Sequence, residues 1–172
     1  KKIDTPAFSS DLYPTLLSIA GIKLPEQQPI LDGIDLLPIL EGKKHSRPPM
    51  GFWHGFRNGQ STWSDRIIKA LLDADKAGQP NPHPERILKN VKEFPTFDMS
   101  DLEGHAAWNE WPWKLHRIEK KDKVIYELYD LKKDPMETTD LSEKELTRVT
   151  KMKDSLKNWQ HSVLNSWAGK DY

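Results

Sequence analysis

Gly104-His105-Ala106-Ala107-Trp108-Asn109-Glu110-Trp111-Pro112-Trp113-Lys114-Leu115-His116 runs through a charged turn into Tyr126-Glu127-Leu128-Tyr129-Asp130-Leu131 and then Asp134-Pro135. The reading of this stretch decides the fold. Trp113 to Ile118 predicts one strand and Val124 to Leu131 a second, with Lys120 to Lys123 as the turn. In the second strand Val124, Tyr126 and Leu128 share one face, and Ile125, Glu127 and Tyr129 the other, because side chains alternate along a strand. Lys114 alternates with Trp113 and Leu115 and so faces away from them. The residues from Gly104 onward read as a polar-aromatic lead-in to this hairpin.

Downstream, Ser142-Glu143-Lys144-Glu145 has the form of a capping box, a Ser with a Glu three residues on. It predicts a helix over Glu143 to Trp167. Leu146, Val149, Met152, Leu156, Trp159, Val163 and Trp167 recur at steps of three and four and make an apolar stripe. Gly169 ends it. The expected class is therefore α+β: a small antiparallel β-sheet packed against a long C-terminal helix. Met50 to His54, short and aromatic, is a further candidate strand for that sheet.

Upstream, Phe8 to Gly21 predicts a short helix. Ser10 or Asp11 can cap it, Pro14 falls in its first turn, and Leu12, Leu16, Ile19 and Ala20 form the face expected to dock on a core. Ile22 to Glu41 is loop-rich, with a turn at Asp32-Gly33 and a short helical segment at Asp35 to Leu40. Asp65 to Ala77 predicts another helix, with Ile67, Ile68, Leu71 and Leu72 inward. A shorter helix is expected at Glu85 to Lys92, and Phe94 to Phe97 reads as extended.

The 172 residues are enough for one ordinary domain or a piece of a larger one. Mean hydropathy is −0.75, polar for a globular domain, yet seven tryptophans can still supply a core. Lys plus Arg equals Asp plus Glu at 26 each, so no field of one sign exists to steer nucleic acid. No apolar run approaches the ~20 residues that span a bilayer. The absence of cysteine excludes thiolate metal sites and a cysteine nucleophile within the chain. Neither partner class, nucleic acid or membrane, is expected. The start at Lys1, without an initiator Met or signal peptide, reads as a cut within a longer polypeptide.

Self-contained catalytic motifs are lacking. There is no P-loop, nucleophile elbow or H-E-x-x-H. None of the six histidines pairs with another at helical i, i+3 or i, i+4 spacing, so neither a catalytic nor a metal residue is assigned. Candidate binding residues are His105, at the head of the lead-in, with Trp108, Lys114 and His54 behind it. Strand ends and loops are where binding residues collect. Each has a plainer reading. His54 and His105 can bond backbone at a strand end, Lys114 can be solvated, and Trp108 can be core.

Asp11-Leu12-Tyr13-Pro14-Thr15-Leu16-Leu17-Ser18-Ile19-Ala20-Gly21-Ile22, Asp32-Gly33-Ile34-Asp35-Leu36-Leu37-Pro38, and Glu127-Leu128-Tyr129-Asp130-Leu131 with Asp134-Pro135, Glu137 and Asp140-Leu141 together resemble the closing part of type I, formylglycine-dependent sulfatases. Trp53-His54-Gly55, the Gly-His-Ala-Ala-Trp lead-in and the ending Gly169-Lys170-Asp171-Tyr172 resemble the bacterial branch labelled N-acetylgalactosamine-6-sulfatase.

The resemblance implies an alkaline-phosphatase-like enzyme that hydrolyses sulfate esters of sugars, secreted or periplasmic. It implies a formylglycine nucleophile made in a C/S-x-P-x-R motif and a calcium ion held by Asp and Asn. Ser46-Arg47-Pro48-Pro49 is not that motif, so nucleophile and calcium are expected in polypeptide before Lys1, and this stretch alone is expected to be inactive.

On this reading residues 1–42 pack on the N-terminal catalytic domain of the same polypeptide, and residues 43–172 form the C-terminal subdomain. His105, Trp108, Lys114 and His54 would contact the sulfated carbohydrate at the pocket rim. A piece without its catalytic domain could instead swap or form a homodimer. The alternative is a non-catalytic carbohydrate- or protein-binding module. Exposed apolar area would favour the fragment over the module.

Overall fold

A computed structural model describes residues 3–27, 30–54, 65–82, 102–120 and 123–170. The fold is α+β, a four-stranded antiparallel sheet with a long helix across one face. Its strands are β1 (Met50–His54), β2 (His105–Glu110), β3 (Trp113–Lys120) and β4 (Lys123–Asp130), in that spatial order. The helices are α1 (Leu12–Ile19), entered through a 3-10 turn at Ser9–Asp11, then α2 (Leu37–Leu40), α3 (Asp65–Lys76) and α4 (Leu146–Trp167). The expected helix at Glu85 to Lys92 and the extended Phe94 to Phe97 lie outside the described residues.

The lead-in is itself a strand. Residues His105 to Glu110 carry Ala, Asn and Glu, and so lack a strong strand signature. They extend because β1 and β3 pair with them on both sides, with Trp108 opposite Gly51 and Leu115. That central place makes β2 the link between β1 and the hairpin.

α4 lies on the face carrying Gly51, Ala106, Trp108, Leu115, Tyr126 and Leu128. Leu115, Leu128 and Met152 form the buried cluster, with Trp108, Trp113, Tyr126 and Val149 against it. Arg148 stacks over Trp113 and Lys153 over Tyr126, so long basic stems seal the cluster's sides.

Two sequence expectations for this helix change. It starts at Leu146, one turn after the expected cap, because Asp140 engages Ser142: the Ser142 N–H donates to Oδ1 at 2.8 Å and its hydroxyl to Oδ2 at 2.9 Å. Asp140 also accepts the Leu128 N–H at 2.9 Å, tying β4 to the approach of α4. The buried row is Met152, Leu156, Gln160 and Leu164, whereas Leu146 and Trp167, at the ends of the expected stripe, are exposed.

The N-terminal helix reverses the expected orientation. Leu12, Leu16 and Ile19 are 59%, 61% and 59% exposed, while Asp11, Pro14 and Thr15 are buried. The polar side turns inward because it is fully used there. Asp11 accepts the N–H of Phe8 at 2.8 Å and of Ile34 at 2.9 Å, and Thr15 Oγ1 accepts that of Leu36 at 2.9 Å. Arg47 closes a two-pronged ion pair on Asp11, with both side chains buried. Asp11 thus stands at the N-cap position of α1, as expected, but its carboxylate makes no cap bond to the helix and serves as a buried anchor instead. Gly33 sits so close to the 3-10 turn that a Cβ there would lie 2.0 Å from the Ser10 carbonyl oxygen.

α3 follows the expected span, but Ile68 and Leu72 are 46% and 51% exposed. Their side is not covered by the described residues.

Candidate functional site

The sheet face away from α4 gathers polar and aromatic side chains. Alternation and register put Phe52 and His54 of β1, His105 and Asn109 of β2, Lys114 and His116 of β3, and Glu127 and Tyr129 of β4 on it. His54 and His105 are direct cross-strand partners. A cleft of about 510 Å³ opens beside them, lined also by Phe52, Ala107, His116 and Ile118.

The entry to β2 is clamped. Gly104, at φ 100°, takes a conformation that side chains other than glycine rarely adopt. Its N–H donates to Glu119 Oε2 at 3.0 Å, its carbonyl accepts Arg117 Nη1, and Arg117 pairs with Glu119 at 2.9 Å. His105 follows directly, and its Nδ1 accepts the Glu119 N–H at 3.1 Å. That bond fixes the proton on Nε2 in the neutral ring.

Further along the face, Lys114 Nζ donates to Glu137 Oε1 at 2.7 Å, and His116 Nε2 meets Glu137 Oε2 at 2.7 Å. Glu137 follows the Asp134-Pro135 turn at φ 55°, a left-handed position costly for a residue with a side chain. Burial alone would raise its carboxyl pKa, but the Lys114 bond and charge, then those of His116, hold it below the ordinary value. The edge of the His116 ring meets Tyr129 at 5.7 Å, and the Tyr129 hydroxyl donates to Glu127 at 2.9 Å. Burial first, then the Glu127 hydrogen bond and charge, push the Tyr129 pKa up to about 12. This hydroxyl therefore stays protonated, and a donor, far beyond neutral pH.

The structure brings His54 and His105 together and sets Lys114 on the same face, engaged with Glu137. It does not bring Trp108 to them. Trp108 lies on the opposite face against Trp159, ring centroids 6.5 Å apart, as part of the core. His116 and Glu137 complete the polar row, and neither is among the candidate binding residues that the sequence suggests. His116 was findable as the next same-face residue after Lys114; the left-handed turn that aims Glu137 back across the sheet carries no sequence signal.

No family model matches the chain. Human steryl-sulfatase is 51% identical over 43 residues, 25% of this chain and 7% of that protein. The ulvan-active sulfatase of Formosa agariphila is 29% identical over 138 residues, 77% of this chain and 24% of that one. The chain is distantly similar to sulfatases. Arylsulfatase K of Xenopus laevis is 22% identical over 165 residues, 92% of this chain and 23% of that protein. The chain thus spans between 7% and 24% of the length of these relatives. A solved structure of BT4656 in complex with its substrate D-glucosamine-2-N,6-O-disulfate superposes with TM-score 0.45 at 18% identity, covering 87% of this chain and 23% of that one.

Proposed function

We propose that this chain is the C-terminal region of a secreted or periplasmic sulfatase acting on a sulfated sugar, and that its open sheet face forms part of the substrate-pocket rim. The observation that carries the reading is the similarity to sulfatases over 77% and 92% of this chain, alongside the 51% identical segment. The nucleophile and the calcium ion that the reading implies belong to polypeptide preceding Lys1. Among the described residues no group of three or more His, Asp or Glu could hold a metal ion, so no step is assigned to a metal on this chain.

The exposed row of Leu12, Leu16 and Ile19 supports a fragment over a free-standing module. We assign that row to the interface with the catalytic domain. In the same reading His105 and His54 offer imidazole N–H and ring edges to sugar hydroxyls. Phe52, 40% exposed, offers an aromatic plane beside them. Lys114, held by Glu137, keeps a positive group at the far side of the row. These groups bind and orient the sugar; none reaches the bond being broken.

The test is His105→Ala in the intact enzyme. Loss of one sugar hydrogen bond of about 0.5–1.5 kcal/mol raises KM for the sulfated sugar by about 2–13-fold, with kcat nearly unchanged. A small aryl sulfate without the sugar should show no change. Unaltered kcat and KM on the sugar substrate would sink the rim assignment. Failure of the intact polypeptide to release sulfate from any ester would sink the sulfatase reading itself.

A further inference from the structure

Glu137 is a costly residue for its turn. Its backbone sits at φ 55°, where glycine or asparagine would be at ease, yet both oxygens of its side chain are used. Oε1 accepts Lys114 Nζ and Oε2 meets His116 Nε2, each at 2.7 Å. A carboxylate held ionised by Lys114 can only accept. The His116 proton therefore lies on Nε2, and Nδ1 of the neutral ring is an acceptor.

That acceptor can be reached. Nδ1 takes no hydrogen bond from the described residues and is not one of the side-chain atoms fully buried without a partner, so it meets solvent. His116 lines the cleft beside His54 and His105. In the strand register Ala107 stands between Phe52 and His116, and its short side chain leaves the space between the two rings open. The edge contact with Tyr129 steadies the imidazole, while the Tyr129 hydroxyl occupies Glu127, the cross-strand partner of His116.

We propose that Glu137 is a positioning residue that fixes His116 Nδ1 as a hydrogen-bond acceptor at this cleft, and that His116 recognises a free hydroxyl of the sugar there. This rests on the sugar-binding reading above and adds a selection rule to it. A hydroxyl can donate to Nδ1, whereas a sulfate ester, a carboxylate or a methyl ether at the same position cannot.

The experiment uses the intact polypeptide. Long-range proton–nitrogen spectra of histidine-labelled protein should show neutral His116 protonated at Nε2 in the wild type and in Glu137→Gln, which still offers one acceptor. Glu137→Gly, which adopts φ 55° without strain, should give a mixture of tautomers. With N-acetylgalactosamine 6-sulfate as substrate, Glu137→Gly and His116→Phe should raise KM by about 2–13-fold, the worth of one hydrogen bond, with kcat nearly unchanged. Glu137→Gln should keep the wild-type KM. A residue serving the turn alone would leave KM unmoved in Glu137→Gly. Neutral His116 protonated at Nδ1 in the wild type would overturn the proposal, and this readout needs no variant to fold. So would wild-type KM in folded Glu137→Gly; with a small aryl sulfate still hydrolysed, the sulfatase reading would stand. Sulfate release from neither ester would remove that reading, and this inference with it.

Discussion

Arg47→Ala is expected to lower unfolding stability by about 3–5 kcal/mol, the usual result of stranding one partner of a buried ion pair. At 2–4 °C per kcal/mol for a chain of this size, that is a fall in Tm of about 6–20 °C. The reason is the state of Asp11 when Arg47 is gone. Its carboxylate is fully buried and faces the N–H groups of Phe8 and Ile34, which balance only part of its charge. The pair also fastens distant stretches, because Arg47 reaches the Pro6 carbonyl at 3.2 Å and stacks over Phe8, whose ring meets Phe52 of β1.

Replacing both partners by apolar residues of similar size, Asp11→Leu with Arg47→Met, should recover much of the loss, since neither charge is then left alone. The Asp11→Leu variant should lose the Asp11 share of the wild type's acid dependence and keep that of Glu137 and Asp140. Burial raises the Asp11 carboxyl, but the Arg47 hydrogen bond, the two backbone donors and the guanidinium charge outweigh it and hold the pKa below 3.8. The contribution is therefore full above the unfolded value near 3.8 and disappears as pH falls through the folded one. Urea unfolding at neutral and acid pH measures both effects. An Arg47→Ala unfolding free energy within about 1 kcal/mol of wild type would show that the pair is not structural.

Gly51→Val should be the second severe change. A Cβ at Gly51 would fall 2.2 Å from two ring atoms of Trp159, so β1 and α4 cannot both keep their places. Overpacking of this kind costs about 1–3 kcal/mol, more where a rigid ring blocks the way. Trp159→Ala alone should cost about 3–5 kcal/mol through lost burial and the cavity it leaves beside Trp108. Together the two changes should cost clearly less than their sum, because the valine then fills space the indole vacated. A coupling of 0.5–3 kcal/mol is expected of contacting residues. Strictly additive losses in thermal or urea unfolding would mean that Gly51 and Trp159 do not share this contact.

The same residues show what could be read in the chain beforehand. The hairpin was legible because Val124 to Leu131 is rich in β-branched and aromatic residues and follows a charged turn, and the last helix because its apolar residues recur at steps of three and four over six turns. β2 was not, since its strand character comes from neighbours on both sides and not from its own residues. α1 was legible as a helix but its orientation was reversed. An apolar row ordinarily turns inward, yet here Asp11 and Thr15 are claimed by Ile34, Leu36 and Arg47, which are far along the sequence. Of the candidate site, His54, His105 and Lys114 fall on one face as strand alternation allows. Trp108 goes to the other face because β2 alternates as well, which treating the stretch as a lead-in and not as a strand conceals. Glu137 depends on a left-handed backbone that no residue type at that position announces.

The order of strands carries a cost in chain entropy that is unevenly shared. β2 and β3 meet across residues 111–112, whereas seating β1 on β2 must first bring together the two ends of residues 55–104. By the logarithmic loop law this longer closure costs on the order of 2–3 kcal/mol more. The hairpin strands can gather by local search, while β1 must be recruited from a distance and is repaid only when Gly51 slides beneath the Trp159 ring. Loop closure therefore favours assembly from the C-terminal side of the sheet toward β1.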